Sequence, residues 1–234
     1  MIQLTSEPSV YVIIPAFNES ASIAKVIADI PEDLVKEIIV VDNASTDSTD
    51  KAAKKMGVTV LLESRKGYGY CCLKGMEYIS PKAMQNDIIV FLDGDYSDFP
   101  QEINSLIAPI INSGAELVIG SRTMGKRQPG SMLFQQIAGN WLATRLIKLF
   151  FHASFTDLGP FRAIRWEALQ KIGMKDKTYG WTVEMQVKAA KLKLNFAEIP
   201  VSYRKRIGIS KVSGTIYGTI MAGYKILLTI FKNI

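Results

Sequence analysis

Short, nearly continuous apolar runs alternate with longer amphipathic stretches through the first half of the chain. The runs at 10–14, 37–41, 58–62, 88–92 and 116–120 are rich in Val and Ile and have strand length. Their lack of alternating polar positions is what a sheet covered on both faces requires. Between them the spacing predicts helices over 20–30, 48–56, 69–80 and 100–113, two of which stop at Gly57 and Gly114, the residue type best suited to end a helix. Such a series predicts an α/β protein with a doubly wound, mostly parallel sheet. After Ser121 the pattern changes to a polar basic loop, 122–130, and a long apolar helix, 131–151. A short strand at 161–164, helices at 166–172 and 181–191, a strand at 195–203 and a last helix over 215–234 follow. No linker or internal repeat interrupts the series, so one domain is expected over 1–234, with halves at 1–121 and 122–234.

The 234 residues are 48% apolar, enough for a full core, which excludes a disordered chain. Charge divides the two halves. Residues 1–121 carry 9 Lys and Arg against 17 Asp and Glu, a net of −8, and residues 122–234 carry 19 against 5, a net of +14. A basic second half suggests an anionic partner, whether nucleic acid, a phosphorylated substrate or a membrane surface; the alternative is a solvated basic face. Cys71 and Cys72 are adjacent, which disfavours a disulfide between them and suits the reducing cytosol. The one histidine, His152, follows Phe150 and Phe151 and reads as a packing or interfacial residue; zinc clusters and serine-type triads are disfavoured.

The polar start, MIQLTSEPS, predicts no secretory signal. Residues 215–234 include Gly218, Gly223, Lys225 and Lys232 and fall short of a spanning segment. Their apolar positions Ile216, Ile220, Tyr224, Leu227, Phe231 and Ile234 recur every three or four residues, a face suited to lying on a membrane rather than crossing it.

Ligands of open α/β sheets bind beyond the carboxyl ends of the strands. Pro15-Ala16-Phe17-Asn18-Glu19 follows the first predicted strand, Asp42-Asn43-Ala44-Ser45-Thr46-Asp47 the second and Asp93-Gly94-Asp95 the fourth. The first turn has Pro where a dinucleotide site has its glycines, and Gly67-Tyr68-Gly69 runs on to Cys72, which disfavours a nicotinamide or flavin dehydrogenase. Asp93 and Asp95, one residue apart on a bend, can face one hard cation, Mg2+ or Mn2+, that keeps open positions for diphosphate oxygens. The alternative is a turn with a capping Asp.

Together, and in order, these motifs resemble the family 2 glycosyltransferases of GT-A fold, especially the dolichol- and polyprenyl-phosphate sugar synthase group. The resemblance runs from about residue 10 to residue 211. VIIPAFNE (12–19) resembles the family's nucleotide-contacting turn, which implies Pro15, Ala16, Phe17, Asn18 and Glu19. EIIVVDNASTDST (37–49) resembles the second turn, in which Asp42 would meet the base. Arg65-Lys66-Gly67 resembles the basic-glycine turn, and Asp93-Gly94-Asp95 the metal-binding motif. Ser121-Arg122, DLGPFR (157–162) and the segment from Arg206 to Lys211 resemble later signatures. The chain departs from many relatives at Asn43, where they carry a second acidic residue, at Ser97 and Asp98, where they carry Gln or His, and at Gly159-Pro160-Phe161-Arg162. Those departures leave the donor and the third metal ligand open.

Transfer from a nucleotide sugar needs the departing diphosphate's charge offset by a divalent cation on Asp93 and Asp95 and by basic groups, for which Lys66, Arg122, Arg206 and Lys211 are candidates. Lys126 and Arg127 read as surface or headgroup contacts. A lipid phosphate is substantially dianionic at neutral pH, its second pKa lying near ~6, and can attack unaided, whereas a hydroxyl wants a carboxylate base, for which Asp157 and Glu184 are candidates. Glu184 lies beside Tyr179 and Trp181, aromatics able to stack on a sugar; alternatively it is a first-turn acid facing the helix dipole. The helix at 131–151, with Arg145 and Lys148 among large apolar residues, suits a headgroup boundary; alternatively it packs with the last helix as core, or as an interface of a homo-oligomer. Nucleic acid is disfavoured for want of a reading motif.

The resulting expectation is an inverting, metal-dependent glycosyltransferase. It would move a sugar from a nucleotide sugar, a UDP-sugar first, to a polyprenyl phosphate, working peripherally at the cytoplasmic membrane face. On this reading 1–121 is the nucleotide-sugar-binding half and 122–234 the acceptor- and membrane-facing half. The alternatives are transfer to a hydroxyl on a glycan or small molecule, and a non-catalytic nucleotide-sugar-binding or membrane scaffold protein.

Overall fold

A computed structural model describes residues 7–208 and 216–234. Its centre is a seven-stranded sheet made of β1 (Val10–Ala16), β2 (Glu37–Asp42), β3 (Thr59–Leu62), β4 (Ile88–Phe91), β5 (Leu117–Ser121), β6 (Arg162–Arg165) and β7 (Phe196–Pro200). The order across the sheet is β3-β2-β1-β4-β6-β5-β7. β1 pairs in parallel with β2 and β4, while β6 runs antiparallel to both its neighbours, β4 and β5. The sheet is therefore doubly wound and mostly parallel, and the winding reverses between β1 and β4.

The continuous apolar runs have the cause expected of them. Tyr11, Ile13, Ile39, Val41, Ile89 and Phe91 point to one face, where they meet α3 (Tyr68–Ile79), α5 (Phe134–Phe151), α6 (Trp166–Ile172) and α7 (Trp181–Lys191). Val10, Val12, Ile14, Val40, Ile88 and Val90 point to the other face, against α1 (Ile23–Ala28), α2 (Thr49–Lys55) and α4 (Ile103–Ser113). Both layers exclude water, so β1, β4 and Ile39–Val41 of β2 are apolar at successive positions. The last helix, α8 (Ile216–Lys232), packs on α5 and α7 and sets Phe231 edge-on to Phe150 with centroids 5.8 Å apart.

Several boundaries differ from the sequence expectation. α1 starts at Ile23 rather than residue 20, because the Glu19 carbonyl accepts the amides of Ser22 and Ile23 in a turn and Ser20 N–H donates to Asp47. α5 starts at Phe134 rather than 131. Leu133 is extended there, and the Gln136 side chain turns back to accept its N–H at 2.8 Å. The run predicted at 195–203 breaks after Pro200, and Tyr203 instead bridges Asp98 and Arg127. His152 is not packed: it is exposed and ends α5 in the left-handed conformation, φ 55°. Cys71 and Cys72 are both free and buried. Among the described residues no helix is long and apolar enough to cross a membrane.

Candidate active site

A cleft of about 460 Å³ opens where the winding reverses, the position at which open α/β sheets bind ligands. Its walls bring together Pro15 and Ala16 at the end of β1 and Phe17 and Glu19 just beyond it, Asn43 after β2, Lys66 and Gly67 before α3, and Asp93, Gly94 and Asp95 after β4, with Arg206 at the mouth. Residues from the first turn, the basic-glycine turn and the Asp-x-Asp turn thus share one cavity, although they lie up to 80 residues apart in the chain.

The loops around the cleft are cross-braced. Asn18 donates its N–H to Ser45 Oγ at 2.9 Å and accepts the Thr46 N–H at 2.8 Å, which ties the turn after β1 to the turn after β2. Asn43 spends its whole amide on the next loop: it donates to the carbonyls of Glu63 and Arg65 and accepts the Gly67 N–H at 2.9 Å. Lys66 Nζ donates to the carbonyls of Asn43 and Ala44 and lies 3.7 Å from the Phe17 ring centroid. Gly67 and Gly69 are required by close approach, because a Cβ on either would stand 2.2 or 2.1 Å from the carbonyl oxygens of Lys177 and Asp176.

Acidic residues crowd the turn after β4. Asp95 accepts both the N–H and the hydroxyl of Ser97, at 2.9 and 2.6 Å. Asp93 Oδ1 is buried with no hydrogen-bond partner. Burial, then the charge of Asp95, pushes the Asp93 carboxyl up to about 7. Both oxygens of Asp98 are buried without a partner, and burial followed by the charges of Asp93 and Asp95 pushes that carboxyl well above the carboxylate range. The Arg206 guanidinium spans the mouth, 2.7 Å from Glu19 and 3.1 Å from Asp95. An orphaned carboxylate oxygen beside a second carboxylate is a fitting donor set for a hard cation. Among the described residues, no group of three or more acidic, His or Cys side chains could hold a metal ion by itself, so further ligands would come from water and diphosphate. Because a ligating carboxyl must shed its proton, Mn2+ affinity is expected to rise between pH 6 and pH 8 as Asp93 ionises, and to lose that rise in Asp93→Asn. Calorimetry at several pH values checks both.

Other expected residues lie elsewhere. Asp42 is buried and accepts the Ser45 N–H, but it lines a separate cavity of about 410 Å³ with Ser45, Leu61 and Leu62; its Oδ1 has no partner. Arg122 and Asp157 are absent from the cleft walls and face each other. Asp157 is wholly buried and accepts the Arg122 N–H, Nε and Nη2 at 2.7, 2.8 and 2.7 Å. Burial works against the Arg122 charge, but Asp157 outweighs it and raises the guanidinium pKa. Glu184 is likewise buried outside the cleft, where it accepts the backbone N–H groups of Lys175 and Asp176 and pairs with Lys188 at 2.7 Å. Lys211 lies outside the described residues.

Sequence reasoning passed over Tyr68 and Cys71 as cleft walls, whereas Tyr179, one of the two aromatics read as able to stack on a sugar, does line the cleft. Tyr68 and Cys71 look like ordinary members of an amphipathic helix; only the position of α3 beside the β1 end makes them walls.

Comparison with known proteins agrees with this construction. Residues 11–173 match the family model for glycosyl transferase family 2. The chain is 34% identical over 217 residues to an uncharacterized glycosyltransferase of Mycobacterium tuberculosis, covering 92% of this chain and 94% of the relative. It is 30% identical to an undecaprenyl-phosphate mannosyltransferase of Micrococcus luteus, covering 89% of each. The crystal structure of glucosyl-3-phosphoglycerate synthase from M. tuberculosis, in complex with Mn2+, UDP and glucosyl-3-phosphoglycerate, superposes with a TM-score of 0.75 at 21% identity, over 97% of this chain and 80% of that one. The shared architecture is the GT-A fold. With a match of this extent, and with the first turn, the basic-glycine turn and the Asp-x-Asp turn gathered at the switch point of the sheet, the chain belongs to glycosyl transferase family 2.

Proposed function

We propose that the protein is an inverting, divalent-cation-dependent glycosyltransferase that moves a sugar from a UDP-sugar to a polyprenyl phosphate at a membrane surface. One observation carries the choice of acceptor. The carboxylates lining the cleft are Glu19, Asp93 and Asp95, of which Glu19 is bound by Arg206 and the other two form the metal pair. Asp157 and Glu184, the candidate bases, are buried and fully engaged away from it. Among the described residues that line the cleft no carboxylate is left to deprotonate a hydroxyl, and a phosphate dianion needs none. The naming of the M. luteus relative supports the same acceptor class.

Asp93 and Asp95 would hold Mg2+ or Mn2+, which offsets charge on the diphosphate as it departs. The residues do the rest by placement. The phosphate oxygen of the acceptor attacks the anomeric carbon from the face opposite the leaving group, the bond to the β-phosphate oxygen breaks, and the nucleoside diphosphate leaves with that electron pair. Arg206, already across the mouth, keeps Glu19 and is placed to exchange Asp95, which the cation would take over, for diphosphate oxygens, with which a guanidinium forms charge-assisted bonds. Arg206→Ala is expected to lower kcat by about 100-fold, the scale of losing one charge-stabilising donor. Lys at this position should recover only part of that. Rates near wild type in Arg206→Ala would remove Arg206 from the reaction. The acceptor choice is tested by incubating the protein with Mn2+, a UDP-sugar panel and either polyprenyl phosphate or soluble sugars, and measuring nucleotide release. Activity confined to soluble sugars, with an acidic limb in the pH profile that Glu184→Gln or Asp157→Asn abolishes, would overturn it.

The membrane part rests on an inverted helix. α5 turns small and polar residues, Asn140, Ala143 and Thr144, inward with Ile147, and leaves Phe134 83%, Trp141 59% and Leu149 65% exposed. With Arg145 and Lys148 on the same helix, that surface suits an anionic headgroup layer. Phe134→Ser with Trp141→Ser should weaken binding to anionic vesicles by at least ~10-fold, since each large apolar side chain contributes ~1.5–3 kcal/mol when buried. Vesicle sedimentation measures it. Unchanged binding would sink this docking face.

A further inference from the structure

The 175–180 loop is anchored more heavily than its surface position requires. Glu184 holds the amides of Lys175 and Asp176. Asp176 Oδ1 in turn accepts the N–H groups of Thr178 and Gly180 at 2.7 and 3.1 Å. On one side the loop's carbonyls press on Gly67 and Gly69, and Lys177 O accepts the Tyr70 N–H. On the other, Asp176 Oδ2 meets Lys225 of α8 at 3.0 Å, and a Cβ on Gly180 would stand 2.7 Å from Thr229 Oγ1, one turn further along that helix. Between these anchors Tyr179 remains 38% exposed and faces the cleft.

The place of Tyr179 along the sheet edge gives it a partner. The cleft walls run from Asn43 beyond β2, past the β1 turn, to Asp93 and Asp95 beyond β4. Trp181, two residues after Tyr179, packs edge-on against Phe91 of β4 at 5.7 Å, and Thr182 O accepts a bond from Arg162 of β6. Tyr179 thus lies between Lys177, whose carbonyl meets Gly67 and Tyr70 at the start of α3, and Trp181 on β4. A donor with its base toward β2 and its diphosphate at Asp93 and Asp95 turns its sugar toward β4, the side to which Trp181 ties this wall.

We propose that Tyr179 is the sugar-facing wall of the donor cleft and sets sugar preference, and that Lys225, through Asp176, is the positioning residue that holds this wall, so that α8 governs the sugar end of the cleft. The inference rests on the nucleotide-sugar reading above. An aromatic face suits the C–H surface of a pyranose. Because α8 also packs on α5, the helix that reports contact with a membrane would share its seat with the loop that grips the sugar.

The test uses the whole chain with Mn2+ and compares the affinity for UDP with that for the best-bound member of a panel of UDP-glucose, UDP-galactose and UDP-N-acetylglucosamine, by calorimetry. Tyr179→Ala is expected to weaken the UDP-sugar about 5- to 10-fold relative to UDP and to level the panel. Lys225→Met should weaken it about 3-fold in the same selective way, Lys225→Arg should restore it, and the double variant should be no worse than Tyr179→Ala alone. Equal losses for UDP and UDP-sugar, additive losses in the double variant, or no change in Tyr179→Ala would each overturn the proposal while the native protein's UDP-sugar binding still upholds the donor reading. A native protein that binds neither UDP nor any UDP-sugar would overturn both.

Discussion

Asp95→Asn should lose about 100- to 1,000-fold in metal-dependent turnover, the scale seen when one group that stabilises developing charge is removed, and should melt within a few degrees of the wild type. The fold is spared because the amide oxygen of Asn can still accept the Ser97 N–H and hydroxyl that Asp95 accepts now. The charge is the part that is lost. It faces Arg206 at 3.1 Å and, with Asp93, makes the paired anionic site. Removing it leaves one carboxylate where the chemistry needs two. Melting curves and nucleotide release at saturating Mn2+ separate the two effects. Near-normal, chelator-sensitive turnover in Asp95→Asn would refute the assignment of this turn as the metal site.

The second large effect is on stability. Arg122→Ala should destabilise the protein by about 3–5 kcal/mol, because it strands a buried carboxylate. Asp157 is completely buried, and two of the three donors it accepts belong to the Arg122 guanidinium. For a chain of this size such a loss lowers the melting temperature by roughly 10 °C. Asp157→Asn should cost less, since Asn keeps the volume and one acceptor. Thermal melts of both variants decide it; an Arg122→Ala protein as stable as the wild type would mean that the pair is solvated in solution.

Fold class and strand positions in the first half were legible because the central strands are buried on both faces, which writes their length into apolar runs. Helices α6 and α7 were legible to the residue for a similar reason: Trp166 and Trp181 open them as buried anchors. The candidate site was legible as motifs and not as geometry. Asp93, Asp95, Glu19, Lys66 and Arg206 do share a cleft. Asp157 and Glu184 carried the same chemical signal, an acid near a strand end or helix start, yet their partners sit 35 residues away in Arg122 and eight or nine away in the 175–176 backbone. A carboxylate's role depends on who faces it, and nothing local in the chain states that. His152 shows the same limit at small scale: its neighbours are apolar, but its backbone ends a helix, so its ring is turned to water.

The antiparallel strand β6 has a consequence for how the molecule is made. β5 is encoded before residue 122, but its partners in the sheet, β6 and β7, are both encoded after it. A nascent chain that has reached β5 therefore holds a buried-type apolar strand with nothing to pair with, and keeps it so while about 40 further residues, including the whole of α5, are added. Splitting the chain after Ser121 would freeze that state, leaving an exposed strand on the first fragment and a missing sheet centre on the second. Co-expressed fragments should thus find each other or aggregate, and refolding should be limited by the long-range insertion of β6 between β4 and β5 rather than by the local β1–β3 series.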